Sequence, residues 1–194
     1  MAQTESGNFV AFAGSTRIAS GSLADVARAV KTACDAGQAR LLAFDDATGR
    51  PVEFDLRGSV DDVLARLPPG PGAQVAKPAT RGRPRLGVTA REVTLLPGHW
   101  EWLGSQPGGA SAALRRLIDQ ARGSRTDRAR MAQDAAYRVM VALAGDAPDF
   151  EEATRAFYAK DYDRFDTITA AWPEDVRDYV GALVSRLAAL ESPA

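Results

Sequence analysis

The chain has a single cysteine, Cys34, and a single histidine, His99, in 194 residues. One cysteine excludes an internal disulfide framework and any zinc site built on thiolates. The lone histidine lies beside Trp100 and within reach of Trp102, with no carboxylate at a suggestive spacing, so a packed imidazole is expected there and not a general base. No Gly-x-Ser-x-Gly elbow and no phosphate-loop lysine motif occurs. No apolar run approaches the roughly 18 residues needed to span a bilayer. The opening residues, MAQTESGN, lack the basic and apolar regions of a signal peptide. These absences point away from an enzyme, a cofactor and a membrane, and towards a cytoplasmic binding protein.

What is present is charge, unevenly placed. The net charge is −1. Residues 1–76 hold seven Lys/Arg against nine Asp/Glu, residues 77–130 hold eleven against four, and residues 131–194 hold six against twelve. The middle third is therefore strongly basic, and no acid interrupts residues 68–91. Segregation of this kind is the expected electrostatic footprint of a phosphate-binding surface, although a basic solvated linker gives the same composition.

Hydrophobic periodicity predicts an α+β chain. Residues 8–13 (NFVAFA), 40–45 (RLLAFD) and 52–56 (VEFDL) read as strands. Ser22 and Ser59 are placed to cap two helices, the first with Leu23, Val26, Ala27 and Val30 at helical spacing. The N-terminal unit is thus expected as β-α-β-β-α over residues 1–67. A Pro/Gly-rich basic tether of residues 68–90 follows, extended because it cannot pack a core. Residues 91–123 are expected to hold a short strand at 92–96 and two short helices split by Pro107-Gly108-Gly109. Residues 124–194 are expected to be helical throughout, with the last helix opening on Pro173 and the acids Glu174 and Asp175.

The central stretch carries the functional expectation. Arg81-Gly82-Arg83-Pro84 matches the core of the AT-hook, a minor-groove motif whose glycine thins the backbone and whose arginines enter a narrow A·T groove. By that resemblance Arg81 and Arg83 insert into the groove and Arg85 binds phosphate, while Thr80 stands where a hook usually has proline. The next part resembles a ribbon-helix-helix DNA-binding domain. The resemblance rests on Leu95-Leu96-Pro97, on Trp100 and Leu103, and on Gly109-x-Ser111 opening a helix with Leu114 and Ile118. It implies a homodimer whose paired strands enter the major groove. Arg91, Val93 and Leu95 would then face the bases, with Thr94 and Leu96 beneath the helices. The free N–H groups of Ala110 and Ser111 would grip a phosphate, and Arg115 and Arg116 would add further phosphate contacts. A helix-turn-helix with residues 111–122 as recognition helix, or a plain packed core, are the other readings of these residues.

Six acids of the N-terminal unit, Asp45, Asp46, Glu53, Asp55, Asp61 and Asp62, could gather round a divalent cation, but a solvated hairpin and helix start explain them as well. The acidic surplus of residues 131–194 offers a restraint on the basic centre, through acids such as Asp161, Asp175 and Asp178 facing Arg115, Arg122 or Arg125. Across nearly all its length the chain also resembles an uncharacterised bacterial domain-of-unknown-function family. That likeness rests on FDDATGRPVEFDLRG (residues 44–58), on GRPRLGVTAREVTLLPGHWEWLGSQPGGASAALRRL (residues 82–117) and on AAWPEDVRDYV (residues 170–180). It implies no activity. The expectation from the residues is a DNA-binding protein of transcriptional or nucleoid-associated type, with a protein–protein adaptor as the alternative.

Overall fold

A computed structural model describes residues 8–68 and 91–192 of the chain. It is α+β, with a small antiparallel sheet at the N-terminal end and a mainly helical C-terminal half. Strands β1 (Phe9–Ala13), β2 (Thr16–Gly21) and β3 (Leu41–Asp45) lie in the order β2-β1-β3. Helix α1 (Leu23–Asp35) connects β2 to β3, capped as expected by Ser22, whose hydroxyl accepts from the Asp25 N–H. Helix α2 (Val60–Ala65) follows, with Ser59 and Asp62 forming a reciprocal capping box.

The unit is therefore β-β-α-β-α and not β-α-β-β-α. The β1–β2 hairpin turns at Gly14, whose φ of +61° suits glycine. Its second strand, TRIASG, has little apolar content and no clean alternation of burial, so it carried no strand signal. Residues 52–56 do alternate between half-buried and exposed, but they pair with nothing beyond one bridge between Phe44 and Pro51. Val52, Phe54 and Leu56 instead cover the cluster formed by Ala11, Val26, Val30 and Ala43.

The two faces of the sheet bury different things. Ala11 and Ala43, small residues on one face, pack with α1. Val10, Phe12 and Phe44, on the other, join the main core with the C-terminal helices. Those helices are α5 (Arg125–Ala144), α6 (Phe150–Ala159), α7 (Tyr162–Thr169) and α8 (Glu174–Glu191). Ala136, Val139 and Met140 of α5 meet Val180, Val184 and Leu187 of α8 in that core. The N-terminal sheet and helices α5 to α8 thus share one apolar centre.

The turn after β3 locks the two together. The Asp45 carboxylate accepts from the Ala47 and Thr48 N–H groups at 3.0 and 2.8 Å. Asp46 takes a hydrogen bond from the Tyr179 hydroxyl at 2.9 Å and a two-pronged one from the Arg186 guanidinium at 2.7 and 3.0 Å. Gly49, at φ +61°, lies so close to α5 that a β-carbon there would come within 2.3 Å of the Ala135 carbonyl oxygen. Burial, then the Asp46 carboxylate, hold the Tyr179 phenol protonated well above the usual range.

Candidate nucleic-acid interface

Between the two halves stands a helical hairpin made of α3 (Pro97–Ser105) and α4 (Gly109–Arg122). Pro97 opens α3 at a position where its missing N–H costs nothing, and Leu96 precedes it in extended geometry. Gly108 and Gly109 then turn the chain with φ of +84° and +73°. A β-carbon at Gly108 would also press to 3.0 Å from that of Ala112, so glycine is needed there twice over. Leu103 and Ala113 are buried in the hairpin.

The N-terminus of α4 has no side-chain cap. Helix starts at α1, α2, α5 and α7 are closed by Ser22, Ser59, Ser124 and Asp161, whereas α3, α6 and α8 lack a side-chain cap as α4 does. Ala110 and Ser111 lie in the open first turn of α4, where unpaired N–H groups favour an anion. Arg91, Arg115 and Arg122 are exposed, and each lacks an ion-pair partner among the described residues. The open turn and these arginines are carried by one hairpin and its leading segment.

Three expectations change. Residues 91–96 have no regular secondary structure, and no strand among the described residues lies beside them to form a ladder. Their facing is reversed as well: Leu95 lines an apolar groove with His99, Trp102, Leu103, Leu114 and Leu117, whereas Leu96 is 66% exposed. Arg116 turns back to donate to the Pro107 carbonyl at 2.9 Å, so it braces the α3–α4 turn instead of standing free for phosphate. Arg81, Arg83 and Arg85 lie outside the described residues.

The proposed acidic restraint finds other partners. Arg125 donates to the Ala189, Leu190 and Ser192 carbonyls at the end of α8. Asp161 caps α7, Asp175 accepts from the Arg17 N–H at 2.9 Å, and Asp178 pairs with Arg177. Among the described residues none of these acids reaches Arg115, Arg122 or Arg125. Four of the six N-terminal acids are committed in the same way: Asp55 pairs with Arg57 and Arg66, Asp62 accepts from the Ser59 N–H at the start of α2, and Asp45 and Asp46 hold the turn after β3. No group of three or more His, Cys, Asp or Glu that could hold a metal ion is found among the described residues. No helix among them is long and apolar enough to cross a membrane.

The hairpin is not the plain packed core that was the other reading of these residues, because it carries large apolar side chains outward. Val93, Leu96, Trp100, Trp102, Leu117 and Ile118 are all large and exposed. The signal was available, since Trp100 and Trp102 fall on opposite sides of a helix too short to bury both.

No curated protein and no solved structure matches the chain. The family model for uncharacterized proteins conserved in bacteria, DUF2239, matches residues 8–184, and the chain belongs to that family.

Proposed function

We propose that the protein binds duplex DNA as a homodimer in the cytoplasm, through the α3–α4 hairpin and the basic segment before it, and that binding is its activity, not catalysis. The observation that supports this most is the uncapped start of α4 on the same hairpin as the unpaired Arg115 and Arg122. A bare helix N-terminus, with guanidiniums at the middle and the far end of the same helix, suits successive phosphates of a backbone. Arg91, and beyond the described residues Arg81, Arg83 and Arg85, extend the same positive charge towards the N-terminal side. Because few side chains here can read base edges, binding is expected to be sequence-tolerant, in keeping with a transcriptional or nucleoid-associated role.

The test is a salt titration of duplex binding by the purified full chain. With about four phosphate contacts, affinity should fall about a hundredfold between 50 and 200 mM salt. Arg115→Ala and Arg122→Ala should each flatten the slope by about one unit on every duplex. Absence of duplex binding at 50 mM salt would end the reading. The exposed Trp100 and Trp102 favour the second reading, an adaptor that meets another protein through α3, which predicts no salt-dependent duplex binding at all.

A further inference from the structure

The α3–α4 hairpin combines an open apolar socket with uncovered apolar knobs. The socket is the groove of about 270 Å³ between Leu95, His99, Trp102, Leu103, Leu114 and Leu117. The knobs are Val93, Leu96 and Ile118, each more than half exposed. Apolar side chains in such a cluster cost free energy while they face water. We propose that a second copy of this chain covers this face, in a two-fold dimer in which Val93 and Leu96 of each copy seat at the α3–α4 groove of the other.

Three observations choose a second copy as the occupant. Socket and knobs are carried by the same thirty or so residues, so a two-fold axis satisfies both at once, residue i of one copy meeting residue j of the other and the reverse. The five exposed apolar side chains on this face, Val93, Leu96, Trp102, Leu117 and Ile118, present on the order of 500 Å² per copy, so two copies bury about 1,000 Å², the least that a specific interface needs. The groove lining has no Lys, Arg, Asp or Glu, and the exposed charges on the stretch are of both signs, Arg91, Arg115, Arg116 and Arg122 against Glu92, Glu101 and Asp119. With both signs present around an uncharged groove, the surface does not strongly repel its own copy. Exposed apolar residues elsewhere, Met131, Val141 and Tyr158, are not part of this groove.

The inference deepens the DNA reading by naming the seam of its dimer, and it rests on that reading only for the use to which the pair is put. It also changes which residues of the segment face outward. Leu95 lines the chain's own groove, while Val93 and Leu96 are exposed and meet the partner.

The experiment is sedimentation equilibrium of the full chain without nucleic acid, up to about 100 μM. The expected mass is twice 20.6 kDa. Val93→Glu and Leu117→Glu should each weaken association about a hundredfold, because a carboxylate would have to be desolvated at the seam. Val141→Glu, on α5 and similarly exposed, should leave the mass unchanged. Circular dichroism of each variant checks its helices, and the wild-type mass decides the matter even if a variant misfolds. A wild-type monomer at the highest concentration overturns the proposal, as does a dimer that survives both hairpin variants or dissociates equally with Val141→Glu. A dimer that binds no duplex keeps the seam and ends the DNA reading, and a monomer that binds duplex does the opposite.

Discussion

Trp172 and Trp102 come from helical regions of one chain and have opposite surroundings. Trp172 is 3% exposed, lies 6.2 Å from the Phe150 and Phe165 rings, and donates its indole N–H to the Pro148 carbonyl at 2.9 Å. Trp102 is 52% exposed and has no ring partner among the described residues. Both sequences place an aromatic residue near the end of a short helical stretch. The difference is that α5, α6 and α8 supply a second surface within the chain for one, and nothing in the described chain does so for the other. A buried tryptophan with its N–H satisfied stabilises the fold, whereas an exposed one points to a surface completed from outside.

The largest break in that comparison should come from truncating each side. Phe157→Ala, which opens a cavity among fully buried neighbours, should cost about 3–5 kcal/mol in urea unfolding. Trp102→Ala should cost less than about 1 kcal/mol when measured at a concentration where the chain is monomeric. If the two losses are equal, the hairpin is packed as firmly as the body.

A middle-sized effect tests the seat of the turn after β3. Gly49→Ala combines a left-handed backbone with a β-carbon that meets the Ala135 carbonyl, so the turn must lift from α5. A loss of about 2–4 kcal/mol is expected, with a drop in melting temperature. Gly37→Ala provides the control: it shares the positive φ but has open space around it, so it should cost about 1 kcal/mol.

The smallest effect is in the pH dependence. The Tyr179 phenol has its ionisation raised in the folded state, by burial first and by Asp46 second. Its contribution is therefore complete below the ordinary phenol value near pH 10 and is lost as pH rises beyond it. Unfolding free energies measured from pH 8 to pH 11 should fall at the alkaline end, and Tyr179→Phe should flatten that fall. The ring contact with Phe12 is kept in the variant, so the readout isolates the hydroxyl.

Helix starts were the most legible part of the fold, because a cap is a local event. Ser22 and Ser59 each do what their position announced. Pairing was the least legible. The alternation of Val52, Phe54 and Leu56 truly reports which side chains are covered, but a covered extended segment need not join a ladder. The β2 strand shows the converse, being paired along its length with little to mark it. At the candidate site, the glycine turn and the open first turn of α4 followed from Gly108, Gly109 and the absence of a capping side chain. The facing of Leu95 did not, since alternation fixes which residues share a side and leaves open which side is inward. Arg116 could not be told from Arg115 by sequence, as only the folded turn brings the Pro107 carbonyl within its reach.

The shared core has a consequence for synthesis. Val10 and Phe12 lie near the start of the chain, and the core they complete contains Val184 and Leu187 near its end. While the ribosome is still making the middle of the chain, the sheet can cover only its α1 face, and its other face has no lid. The first sixty residues must therefore wait, with Phe12 and Phe44 in water, until α8 has emerged. A growing chain of this kind presents an apolar sheet for most of its translation, which is the kind of surface that holding chaperones bind.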